Sequence, residues 1–310
     1  MQPSRRIGLL IVLLGAACLG RLPGVSALFE LSPPEGPPAY CTVFNHMVKS
    51  GGTTVKDQLF QSSGHEHQRR PGTCSTSIRT PVHDGCLDAM HNASVIVGYG
   101  EMMRIGFKRI GRQCDFFTMM RHPIDRLVSA FFYCPESHDV QNRPKEYCGD
   151  ADVDQPASER LLEYATNRWK NKAFQQMLAS FVCPLWLLDV CEDDPEVERV
   201  PLPDLTTEEG RRAMMRVQAT LNTYKAVGIA EHWELSMALF DASVKSPVRK
   251  WNPKLVSNTG SRSERKQQVL EWAYLSPEIH GVIAADMLLY EMTMDLFKNQ
   301  TAEVLGTKWS

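Results

Sequence analysis

The stretch Val43–Val55 constrains this chain most. Cys41 to Phe44 is an apolar, β-favouring run, and Val55-Lys56-Asp57-Gln58-Leu59-Phe60 reads as a helix. Between them lies Asn45-His46-Met47-Val48-Lys49-Ser50-Gly51-Gly52-Thr53-Thr54. The unit is therefore strand, loop, helix. Glycines let a backbone approach an anion closely, and a helix start offers N–H groups with no intrahelical acceptor. Thr53 and Thr54 add hydroxyl donors, and Lys49 adds a point charge. These are the parts of a phosphate-binding loop.

A second stretch repeats the plan. Phe116-Phe117-Thr118-Met119-Met120 is an apolar strand that breaks at Arg121-His122-Pro123. Pro123 suits a first helical turn, and Ile124, Leu127, Val128 and Phe131 recur at helical spacing. The guanidinium of Arg121 matches a phosphate in shape and charge, and the hydroxyl of Ser129 lies further along the same helix.

The first loop is not G-x-x-x-x-G-K-[ST], because Lys49 precedes the glycines. Its order, H-x-x-K-[ST]-G-G-T-T, resembles the 5′-phosphosulfate loop of sulfotransferases that use 3′-phosphoadenosine 5′-phosphosulfate (PAPS). The second stretch, strand–R-x-P-x-x-R-x-x-S-x-[FY], resembles the 3′-phosphate site of the same enzymes. Three later segments are similar to theirs as well. Val227–Ser236 looks like V-G-L-T-E…S. Asn258-Thr259-Gly260-Ser261-Arg262 looks like a late loop that closes over the nucleotide. Asp286–Phe297 looks like D-x-x-L-Y-[ED]…L-F, a closing helix. The resemblance runs in order from Tyr40 to Phe297. It is nearest in texture to heparan sulfate 6-O- and 2-O-sulfotransferases and related Golgi carbohydrate sulfotransferases.

This resemblance implies an α/β fold, with a P-loop-NTPase-like, mainly parallel sheet flanked by helices. It implies PAPS as co-substrate, no metal, and a glycan hydroxyl as acceptor. Lys49, Ser50, Gly51, Gly52, Thr53 and Thr54 would hold the phosphosulfate. Arg121 and Ser129 would hold the 3′-phosphate, with Asn258 and Arg262 closing over the nucleotide. Lys49 would also stabilise the leaving phosphate. No histidine directly follows the apolar strand Ala93–Val97, which departs from the 6-O pattern. Glu101 is therefore the first candidate for general base and His46 the second.

The rest of the chain is consistent with a lumenal protein. Met1–Arg6 is basic, and Ile7–Gly20 is apolar but short of the about 20 residues of a membrane span. Val25-Ser26-Ala27 fits a cleavage site, so residues 1–27 read as a signal peptide or as an uncleaved signal anchor. The corresponding locations are secreted, or Golgi membrane with the domain lumenal. Residues 28–39 form a proline-rich stem, and 40–310 are expected to form one domain.

Of 9 cysteines, all but Cys18 lie outside the apolar segment. Their neighbours in sequence suggest Cys74–Cys86, Cys134–Cys148 and Cys183–Cys191, leaving Cys41 with Cys114. Asn92 and Asn299 begin glycosylation sequons. His65-Glu66-His67 reads as a solvated loop. Lys+Arg number 34 against 36 Asp+Glu, so any polyanion must be met by local patches, and a nucleic-acid partner is not expected.

Further along, Ser158–Ser180 has the spacing of one helix. Thr206 with Glu209 fits a capping box that opens a helix to Thr223. Tyr224–Ile229 reads as a strand and Glu231–Ala242 as a helix. Three other readings remain open. A phosphate-transferring P-loop kinase would want a magnesium-binding Asp after an apolar strand. A non-catalytic glycan- or nucleotide-binding protein would not need Lys49. Transfer to a protein tyrosine or a lipid would use the same nucleotide site.

Overall fold

Strand β1 (Thr42–Asn45) is buried at every position, because it lies in the middle of a parallel sheet with both faces covered. The computed structural model describes residues 41–62, 73–75, 95–99, 114–133, 154–174, 177, 204–245, 251–254 and 263–309, all within one compact unit spanning 37–310. The other strands are β2 (Thr73–Ser75), β3 (Val95–Tyr99), β4 (Asp115–Met120) and β5 (Tyr224–Ile229). Their order is β2-β3-β1-β4-β5, and every pairing is parallel. Val43 sits opposite Ile96 on one side and Phe116 on the other. The fold is thus α/β, and it is compatible with the P-loop-like expectation.

From β1 the chain goes out to β2 and returns to β3 on one flank, then crosses to β4 on the other. Strand β1 is therefore the point where the order reverses, and the crevice beyond its carboxyl end is where such sheets bind ligands. Helix α1 (Gly52–Ser62) leaves β1, and α2 (Pro123–Phe132) leaves β4. Next come α3 (Ala157–Tyr164), running into a π-helical turn (Ala165–Trp169), and α4 (Glu208–Leu221). A 3-10 turn (Ala230–His232) and α5 (Trp233–Ser243) follow β5. Helices α6 (Glu264–Leu275), α7 (Pro277–Val282) and α8 (Ala284–Leu305) complete the described part. Among the described residues, no helix is long and apolar enough to cross a membrane. Residues 1–39 lie outside them.

Aromatic rings fill one core. Phe117 packs 5.0 Å from both Phe44 and Phe240 and 6.0 Å from Trp251. A second core forms where Ile124, Leu127, Val128 and Phe131 of α2 meet Leu161 and Tyr164 of α3, Val269 and Ala273 of α6, and Ile279 of α7. The helical spacing of the α2 residues places them on this one face. Cys41 and Cys114 form a disulfide joining the starts of β1 and β4, as their leftover status suggested. Each of the other three pairings involves at least one residue outside the described set.

Two sequence expectations need correction. Ser158–Ser180 is not one helix, for it breaks at Lys170-Asn171, where Asn171 takes a left-handed conformation with φ 48°. The break has a purpose in the packing. Asn171 Oδ1 accepts from the backbone N–H groups of Ala285 (2.9 Å) and Asp286 (3.3 Å), capping α8, whose own N-cap residue supplies no side-chain bond. The second correction is at α4, where the cap is Thr207. Its Oγ1 accepts from Gly210 N at 3.1 Å, while Thr206 Oγ1 donates to Asp204.

A buried ion pair ties these parts together. Arg126 of α2 donates to the Asp286 carboxylate of α8, both side chains being 3 % exposed or less. Asp286 also accepts from Phe174 N at 2.9 Å and Ala173 N at 3.4 Å. Removing one member of such a pair leaves a buried charge without its counter-ion. Asp286→Ala is expected to lower the unfolding free energy by about 3–5 kcal/mol, measured by urea denaturation.

Candidate functional site

The carboxyl end of β1 turns through 46–51 before α1 begins, and that of β4 turns through Arg121-His122 into α2. Because β1 and β4 are paired neighbours, the two turns lie side by side. A cleft of about 720 Å³ opens between them. It is lined by His46, Lys49, Gly51, Gly52, Thr53 and Thr54 from the first turn and by Arg121 and Ser129 from the second. Two stretches more than sixty residues apart in sequence therefore converge on one space. Arg121 Nη1 lies 3.4 Å from the Lys49 carbonyl oxygen, which it meets as a donor.

The glycines of the first turn have separate reasons. Gly51 has φ +78°, a conformation suited to glycine, and a Cβ there would meet the Trp233 ring at 3.1 Å. Gly52 is fixed by its neighbour, since a Cβ on it would lie 2.0 Å from Cδ2 of His46. The imidazole thus packs directly against the start of α1. Lys49 is left-handed at φ 66°, which costs a non-glycine residue roughly 1–2 kcal/mol and marks a turn held by its surroundings. Its Nζ lies 3.3 Å from the centre of the Tyr133 ring. Ser50 departs from the expectation. Its side chain is fully buried and does not line the cleft, and its Oγ has no hydrogen-bond partner among the described residues.

Residues that the motif reading did not single out also line the cleft. Arg121, in the turn before α2, is followed at four-residue intervals by Asp125 and Ser129 of α2 and by its C-cap Tyr133, and all four border the cleft. That spacing was the available signal. Glu231 and Trp233 come from the turn after β5, and Lys56 stands one turn into α1. Position beyond a parallel strand's carboxyl end was the signal for Glu231. Trp233 Nε1 donates to Pro253 O at 3.0 Å, and Gln58 exchanges hydrogen bonds with the Asn252 backbone (2.7 and 3.2 Å), which fixes segment 251–254 against α1. Glu101, Asn258 and Arg262 lie outside the described residues.

The charges are balanced locally. Arg121 lies 3.6 Å from Asp125, which also accepts from the Tyr274 hydroxyl. Burial holds the His122 imidazole below its usual range, opposed by Asp125 and Glu231. Burial and the bond to Asp125 push the Tyr274 hydroxyl up. His46 is lowered to about 4, first by burial and then by the charges of Lys56 and Lys49. It is neutral at pH 7, with one ring nitrogen able to accept a proton. No group of three or more His, Cys, Asp or Glu that could hold a metal ion occurs among the described residues.

What these residues define is a polar cleft at the switch point of a parallel α/β sheet, bordered by Lys49, Lys56 and Arg121 together with Asp125 and Glu231. No protein-family model matches the chain, and no curated protein matches its sequence.

Two outcomes follow from His46. Gly52→Ala is expected to unseat the imidazole and lower the melting temperature, and adding His46→Ala to make room restores part of the loss in a double-mutant cycle. The pH effect has a definite sign. Because the folded value lies below the unfolded 6.5, this contribution is complete above pH 6.5 and is lost as pH falls towards 4. About 3 kcal/mol is at stake. Melting curves from pH 7 to 4 should fall less steeply in His46→Gln than in wild type.

Proposed function

We propose that this protein is a PAPS-dependent sulfotransferase of the Golgi lumen that moves a sulfuryl group to a hydroxyl of a glycan, on a sulfotransferase-type α/β fold. The observation that carries the reading is the single cleft uniting the Lys49–Thr54 turn with Arg121 and Ser129. A nucleotide carrying both a 5′-phosphosulfate and a 3′-phosphate needs two anion sites within one ligand length. The residues fit such a ligand: a turn with Lys49 and Gly51 left-handed, a Gly52 without a Cβ, threonine hydroxyls, and an arginine across the cleft. The volume lies within the range of small-molecule sites.

In the proposed reaction an acceptor hydroxyl oxygen attacks sulfur in line. The S–O bond to the 5′-phosphate breaks as the new one forms, and the freed phosphate carries the developing charge. Lys49 and the N–H groups at the start of α1 stabilise that charge. His46, neutral and packed on the same turn, is a base in the right protonation state. The phosphosulfate's negative charge would oppose the two lysines and raise the basicity of the ring. Glu101 is the other candidate.

Calorimetry with adenosine 3′,5′-bisphosphate tests the reading, with 5′-AMP and ATP as controls. Wild type is expected to prefer the bisphosphate. Arg121→Ala should abolish that preference, and Lys49→Ala should weaken all binding while abolishing sulfate transfer from PAPS. Equal binding of 5′-AMP, or tighter binding of ATP, would sink the sulfotransferase reading.

A further inference from the structure

Helix α2 begins in an unusual way. Its N-cap is His122, whose side chain makes no capping bond, and Pro123 at the first helical position has no N–H to satisfy. In a capping box the third helical residue reaches back to the N-cap N–H. Here that residue is Asp125, and its carboxylate is turned instead to Arg121 and to the Tyr274 hydroxyl. The His122 N–H is met from another element. Glu231, just beyond β5, accepts it through Oε1 at 3.0 Å and accepts from the Tyr290 hydroxyl of α8 through Oε2 at 3.2 Å. The His122 ring is packed between two tyrosines, stacked 5.1 Å from Tyr274 and edge-on 5.2 Å from Tyr290.

The consequence falls on Arg121. This residue precedes His122 directly and belongs to no helix or strand, so its aim depends on how the turn from β4 to α2 is held. Glu231 fixes the backbone of that turn, and Asp125 and the Lys49 carbonyl fix the guanidinium. Glu231 also places a carboxylate at the positive end of α2, where a helix otherwise attracts an external anion. A ligand phosphate must then be held by the Arg121 and Ser129 side chains.

We infer that Glu231 is the positioning residue for Arg121, holding the β4–α2 turn so that the guanidinium selects a nucleotide with a 3′-phosphate. The inference rests on the sulfotransferase reading and extends it. Glu231 is exposed, so its replacement leaves the core intact. The quantity to measure is the ratio of affinities for adenosine 3′,5′-bisphosphate and 5′-AMP, in wild type, Glu231→Ala, Glu231→Gln and Tyr290→Phe. Glu231→Ala is expected to cut the ratio by roughly tenfold, the size of one lost bond to a charged group, while 5′-AMP affinity and melting temperature hardly move. Glu231→Gln keeps an acceptor for the His122 N–H and should keep most of the ratio, as should Tyr290→Phe. A wild type that discriminates and a Glu231→Ala variant that discriminates equally well would overturn this inference alone. Equal loss of both affinities in Glu231→Ala would also overturn it, because it would show a general structural role. A wild type with no preference would overturn the parent reading and this inference with it.

Discussion

The buried pair between Arg126 and Asp286 is the constraint on which the rest of the described structure depends. Two charges taken out of water are tolerable only when their hydrogen bonding is completed, and Asp286 does this with the guanidinium and two backbone N–H groups of the 173–174 segment. In return, Asn171 caps the first turn of α8, which contains Asp286. Three parts of the chain far apart in sequence are therefore held at one point. Helix α2 cannot rotate about its axis without breaking this point, so its apolar side stays on α3 and α6. The face bearing Asp125 and Ser129 stays on the cleft, beside Arg121 of the preceding turn.

The cleft gathers its charges by placement and not by overall composition. The whole chain is nearly neutral, yet Lys49, Lys56 and Arg121 border one space. The two helix starts beside it are used differently. The start of α1 faces the cleft with small residues and hydroxyls. At the start of α2, the His122 N–H is taken by Glu231. One wall therefore carries glycines and threonines and the other a side-chain cation.

Much of this was legible in the sequence because it rests on local patterns. The apolar runs gave the strands at Thr42–Asn45, Asp115–Met120 and Tyr224–Ile229, and helical spacing gave the buried side of α2. The loop residues His46, Lys49, Gly51–Thr54 and the pair Arg121 and Ser129 were visible as chemistry at fixed spacings. What was hidden had non-local causes. Asn171 breaks a periodic segment because α8 needs a cap. Ser50 is buried by tertiary packing. Gly52 reads as an anion-approach glycine, yet its immediate steric reason is the His46 ring. Glu231 stands more than a hundred residues from the turn it holds, and no spacing rule connects them.

The sequence by itself determined the alternation of buried strands and helices, the parallel α/β class, and two turns carrying a lysine and an arginine. Residue order and side-chain chemistry suffice for these, because strand burial, helix periodicity and turn conformations are set within a few neighbours. Only the tertiary structure decided that both turns open onto one cleft, that the hydroxyl of Ser50 turns inward, and that Asp125 and Glu231 brace the arginine wall. Those outcomes depend on the pairing of β1 with β4 and on a buried ion pair. Both are contacts between distant segments that form only when the whole core packs.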